Sequence, residues 1–271
     1  MSWWGKFIGG SVGFFFGGPL GAILGTAVGH SFDKARAVGT GGVHFGYGDN
    51  ERVQMAFFTA TFSVMGHLAK ADGRVSNEEI AAVRKIMTHM RLTAEQQQTA
   101  INLFDEGKRP DFPLDDILEQ FRRECHRRST LTQMFLEILL GAAMADGKIH
   151  DSELRILYHV CERVGYPREQ FERIVRMMQA GQKAGGTTGF DRAYGGAADN
   201  ARLKDAYGVL GLSEKAPDED VKKSYRRLMT QYHPDKLVSK GLPDEMMQFA
   251  TEKTRNIKAA YELIRESRRL H

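Results

Sequence analysis

The chain has 271 residues, 42% of them hydrophobic and 27% charged, which is ordinary globular composition for about two domains and not that of a disordered protein. Its net charge of +4 is small and its basic residues are dispersed, which argues against nucleic acid as the main partner but leaves room for one local basic face. Cys125 and Cys161 lie far apart with no Cys-x-x-Cys pair, so neither a disulfide framework nor a zinc module is expected, and both thiols suit a reducing compartment.

Residues 1–6 form a short tail, and the next 23, Phe7 to Gly29, contain no charged side chain. At 1.5 Å rise per residue a helix of that length crosses a bilayer core, so residues 7–29 are predicted to be a single transmembrane helix. Trp3 and Trp4 stand just before it, where amphipathic rings favour the headgroup region. A cleaved signal peptide fits less well, because the apolar stretch is longer than usual and no small-x-small site precedes a polar start. Gly9, Gly13, Gly17, Gly21, Gly25 and Gly29 recur every fourth residue, which keeps them near one helix face with a drift of about 40° per step. Backbones can approach closely along such a stripe, which predicts a homodimer through the span, with Pro19 as a potential kink midway.

Residues 30–50 are expected to be a juxtamembrane linker, rich in glycine from Gly39 onward. A helical region follows over 51–180. Val53, Phe57, Ala60, Val64 and Leu68 make one stripe and Phe58, Phe62 and Met65 another, so this helix is apolar on two faces and central in its domain. A similar helix is predicted from about Leu131 to Ala145. Each ends in a matching turn: Ala71-Asp72-Gly73-Arg74-Val75-Ser76-Asn77-Glu78-Glu79-Ile80 aligns with Ala145-Asp146-Gly147-Lys148-Ile149-His150-Asp151-Ser152-Glu153-Leu154. This is an internal repeat of helix, Asp-Gly turn and amphipathic helix. Gly73 and Gly147 supply positive φ, and Ser76 with Glu79 reads as a capping box. Further helices fit 93–107, where Thr93 and Gln96 form another capping box, then 114–125 and about 167–179. An EF-hand loop fails, since Gly73 directly follows Asp72 and the twelfth position is Val83.

Residues 181–204 carry many glycines and almost no apolar periodicity, so they read as a flexible tether of roughly 25 Å mean span that lets the last module reorient. In residues 205–271, Val221, Tyr225 and Leu228 recur at helical spacing while Lys222, Lys223, Arg226 and Arg227 place positive charge between them. Pro217 and the acids Asp218, Glu219 and Asp220 mark the start of this basic helix. Pro234 disfavours helical backbone at His233 and ends it there. Phe249, Ile257, Ala260, Tyr261 and Ile264 give the return helix. The expectation is therefore an all-α chain: one amino-terminal transmembrane helix, a helical bundle with an internal repeat, a flexible linker and a carboxy-terminal helical hairpin.

His233-Pro234-Asp235 after a Lys/Arg-rich helix, with Asp205-Ala-Tyr-Gly-Val-Leu-Gly-Leu before it, resembles the J-domain of DnaJ-type co-chaperones over about 205–271. The repeat resembles the TerB-like domain of tellurite-resistance proteins over about 51–180, and the order of the parts resembles the bacterial membrane-anchored DnaJ-like co-chaperones. These resemblances imply a co-chaperone that stimulates ATP hydrolysis by a cytosolic DnaK-type chaperone and recruits it to the membrane. His233, Pro234 and Asp235 would then be the trigger, and Lys222, Lys223, Arg226 and Arg227 the docking face for an acidic partner. They also imply a single-pass protein of the bacterial inner membrane with a periplasmic amino terminus and cytoplasmic bulk. The TerB-like resemblance carries over Asp72, Glu79, Asp146 and Glu153 as weak metal candidates, although turn and cap geometry accounts for them without an ion. No cofactor is implied. An enzyme has little support, since no phosphate loop, nucleophile with its base, or Cys/His site is present. The rival reading is a metal- or stress-linked TerB-like membrane scaffold in which the hairpin only recruits.

Overall fold

The computed structural model describes residues 18–32, 49–71, 73, 77–145, 147–183, 199–243 and 246–269, and among them there is helix and no strand. The bundle is built around α2 (Asp49–Ala69), in which every residue from Met55 to Ala69 except His67 is buried. A helix apolar on two faces needs neighbours all round. Here α4 (Ala94–Gly107), α5 (Leu114–Glu124), α6 (Ser129–Ala143) and α7 (Asp151–Arg163) enclose it. Helices α3 (Asn77–His89) and α8 (Arg168–Lys183) close the outside, packing on α6 and on α6 and α7. Phe121 and Phe135 stack at 4.4 Å between ring centroids, and Phe57 approaches them at 6.0 and 6.2 Å, joining α2, α5 and α6.

The contact of α2 with α4 leaves no room for a side chain on either helix at Gly66 and Gly107. A Cβ added at Gly66 of α2 would lie 1.9 Å from the Phe104 carbonyl oxygen of α4, and one at Gly107 would lie 1.8 Å from the Ser63 carbonyl oxygen. Two glycines thus let the backbones meet from both sides. Nothing in the periodicity announces this, because helical stripes record which residues are apolar and not how near two axes come.

Several local signals are realised as read. Gly73 and Gly147 take φ of +91° and +89° at the two Asp-Gly turns. Thr93 N–H donates to Gln96 Oε1 at 2.8 Å and Gln96 N–H to Thr93 Oγ1 at 3.3 Å, the reciprocal capping pair. In the second repeat, His150 N–H donates to Glu153 Oε2 at 2.9 Å.

The described part of the apolar amino-terminal stretch is α1 (Pro19–Phe32). Gly18 has φ of +129° and Pro19 opens the helix, so Pro19 acts as a starting residue and not as a kink within a continuous rod. Leu20, Ile23, Leu24 and Ala27 are buried, and α1 packs on α4 and α5. Gln120 Oε1 accepts the Leu20 N–H at 2.9 Å, and Asn102 Nδ2 donates to the Ala27 carbonyl at 2.6 Å. Among the described residues no helix is long and apolar enough to cross a membrane.

The carboxy-terminal module comprises α9 (Asp199–Val209), α10 (Asp218–Tyr232), α11 (Pro234–Ser239) and α12 (Met247–Arg269). Helices α9 and α10 pack on α12 around Leu210, Val221, Ile257 and Ile264. The regular structure extends beyond the sequence reading on both sides of the tether, since α8 reaches Lys183 and α9 starts at Asp199; residues 184–198 lie outside the described residues.

Candidate functional site

His233 has φ of −58° and ψ of 126°, so it ends α10 and caps α11 at once. Its non-helical ψ follows from Pro234, whose ring disfavours helical backbone at the preceding residue. The tripeptide is not a bare loop: Pro234 occupies the first turn of α11, where its missing N–H costs no hydrogen bond. The Asp235 N–H donates to His233 Nδ1 at 3.3 Å, which fixes the imidazole against the turn and leaves the carboxylate outside. Asp235 is 89% exposed and His233 50%. Buried Leu237 and Leu242 anchor the short helix from behind. The sequence reading missed α11; the signal was Pro at a first helical position followed by an acid and then Leu237.

On α10, Val221 and Ser224 face inward while Lys222, Lys223, Arg226 and Arg227 are all exposed. Ser224 Oγ donates to the Leu210 carbonyl at 2.6 Å, tying the basic helix to the end of α9. Tyr225 stacks on Tyr261 of α12 at 4.1 Å and 15°, which sets the rotation of α10 and turns its cations outward. Among the described residues none of the four is paired with a carboxylate, so their charge is directed at solvent and at whatever arrives from it. A further clamp was not legible. Arg268 donates from Nε to Tyr207 Oη at 2.8 Å, from Nη2 to the Ala216 carbonyl at 2.6 Å and from Nη1 to Asp218, joining α12, α9 and the start of α10.

The other candidates are less gathered. Asp72, Ser76 and Asp146 lie outside the described residues, as does the side chain of Glu79; Glu153 is buried, with one carboxylate oxygen capping α7. Of the glycine stripe, Gly9, Gly13 and Gly17 lie outside the described residues. Gly21, Gly25 and Gly29 are in α1, where Gly21 is buried and Gly25 half-buried. The thiols of Cys125 and Cys161 are pushed up by burial to about 12 and about 11, which favours the neutral thiol over the reactive thiolate.

An exposed His-Pro-Asp turn following a helix of unpaired cations, braced by an antiparallel return helix, defines a J-domain, and the chain is a J-domain co-chaperone. Residues 205–270 match the DnaJ domain, 58–176 the tellurite resistance protein TerB, and 1–41 the transmembrane domain of the co-chaperone DjlA. The chain is 43% identical to the co-chaperone protein DjlA of Photobacterium profundum, over 98% of this chain and 99% of that protein. It is 42% identical to those of Photorhabdus laumondii and Escherichia coli K12, in each case over 99% of both chains. It belongs to the DjlA family of membrane-linked co-chaperones. No solved structure matches it.

Proposed function

We propose that the protein binds a cytosolic DnaK-type chaperone, stimulates its ATP hydrolysis and recruits it to the membrane. The observation that carries this reading is the exposed His233-Pro234-Asp235 turn beside four outward cations. The cations raise the encounter rate with an acidic surface, and the Asp235 carboxylate engages the partner once docked. Stimulation then requires that the module bind the hydrolysis-competent conformation of the chaperone better than the resting one. The protein itself supplies recognition and no chemistry.

Such a partner is cytosolic, which supports a single-pass arrangement with a periplasmic amino terminus and the bundle and J-domain in the cytoplasm. Since α1 packs on the bundle, the fourfold spacing of Gly9, Gly13 and Gly17 ahead of it is the part of the stripe that supports self-association, and a dimer would offer two J-domains to one client assembly. The test is single-turnover ATP hydrolysis by a DnaK-type chaperone with the full chain in nanodiscs. Wild type should accelerate hydrolysis, while Asp235→Asn and His233→Gln should abolish the effect with unchanged helicity. Equal stimulation by the variants would sink the assignment. Reversing Lys222, Lys223, Arg226 and Arg227 to Glu should slow association most at low salt.

A further inference from the structure

We infer that the middle bundle is a receptor for the J-domain of the same chain, holding it in one orientation that points His233-Pro234-Asp235 and the basic helix away from the bundle. The contact has two parts. In the first, the turn between α11 and α12 sits on α2 and the start of α6. Arg128 Nη1 donates to the Lys240 carbonyl at 2.5 Å, and Gln54 Nε2 donates to the Leu242 carbonyl at 3.4 Å. Between those carbonyls lies Gly241, with φ of +83°; a Cβ there would come within 2.5 Å of Arg128 Nη1 and 3.2 Å of Val53. One glycine therefore serves the turn and the fit to the bundle together.

The second part is an ion pair with its supports. Lys253 Nζ of α12 lies 3.1 Å from both carboxylate oxygens of Glu137 on α6, and the two side chains are only 18% and 19% exposed. Gln133 donates to Glu137 from one turn away at 2.9 Å, and Gln231 of α10 donates to Gln133 at 3.3 Å. At the far edge, the His89 ring lies 4.7 Å from the Phe249 ring, with His89 Nε2 3.0 Å from Glu252. A half-buried pair of this geometry loses more when one member is reversed than an exposed one does.

Two features give the contact a functional direction. Lys253 Nζ is also 5.3 Å from the centroid of Tyr232, the residue before His233, so the latch touches the root of the tripeptide. Asp235 and the four cations stay exposed while the module is docked. Docking and chaperone binding use different faces, so the bundle orients the J-domain without covering it.

The test needs no chaperone, so its outcome is independent of the proposed function. Gln133→Cys with Gln231→Cys is introduced into the full chain in nanodiscs and treated with a short bismaleimide; Cys125 and Cys161 are buried and do not compete. Cross-linking within one chain is expected. Glu137→Lys or Lys253→Glu should lower its rate about fivefold, as for reversal of a close charge pair, and the double swap should restore most of it. Asp235→Asn should cross-link like the parent. Unchanged rates in both single reversals, no recovery in the swap, or cross-links formed only between chains would overturn the inference.

Discussion

The bundle and the J-domain put their helices to opposite ends. In the bundle, α2 has every residue from Met55 to Ala69 except His67 turned inward and meets α4 backbone to backbone. In the J-domain, α10 buries only Val221, Ser224 and Tyr232, and its charge faces outward. Stability therefore concentrates where no partner can reach, and recognition concentrates where substitution costs little stability. That contrast predicts how the two regions respond to substitution.

The largest effect should come from Gly107→Ala or Gly66→Ala. A methyl group at either position overlaps a carbonyl oxygen of the other helix, so the two must separate, at a cost of about 3 kcal/mol. Chemical denaturation followed by circular dichroism would show it, and a loss below about 1 kcal/mol would mean that the contact is slack. Arg268→Ala should cost less, about 1.5 kcal/mol, by removing charge-assisted hydrogen bonds that hold α12 to α9 and α10. Its loss should appear as early melting of the J-domain alone.

A smaller effect is expected with pH. Burial holds His67 below its ordinary value of 6.5, against a hydrogen bond to the Gly107 backbone that favours the proton. The unfolded chain therefore takes up this proton first as pH falls. Bundle stability should decline below about pH 6.5 with a linkage of at most about one proton, and His67→Gln should flatten that part of the curve. The smallest change in stability should accompany the greatest change in activity. Asp235→Asn is expected to alter the unfolding free energy by less than about 0.5 kcal/mol, as for an exposed site, while abolishing stimulation of the chaperone. A large destabilisation there would break the contrast between the two regions.

What the sequence made legible was local. The Thr93 and Gln96 capping pair, the positive φ of Gly73 and Gly147, the acidic first turn of α10 and the outward cations each depend on residues within a turn or two of one another. What stayed hidden depends on distance. The meeting of Gly66 with α4, the Arg268 clamp on Tyr207 and the Lys253 pairing with Glu137 join residues far apart in the chain, and no periodicity encodes which surfaces will meet. Helix α1 was legible as apolar, but its packing on α4 and α5 through Gln120 and Asn102 was not. For the J-domain site, the short range of the tripeptide and its helix explains why so much could be read early, while α11 escaped because six residues give periodicity little to act on.

The all-round burial of α2 also has a consequence for biogenesis. The helix is complete at Ala69, yet α6, which must cover one of its sides, ends only at Ala143. At roughly 5–20 residues per second, translation takes several seconds to cover that interval. Until α6 is complete, a helix of 21 residues carrying Phe57, Phe58 and Phe62 has one of its sides uncovered, even after α4 and α5 have been made. A protein that serves chaperones is thus, during its own synthesis, a nascent chain in need of one.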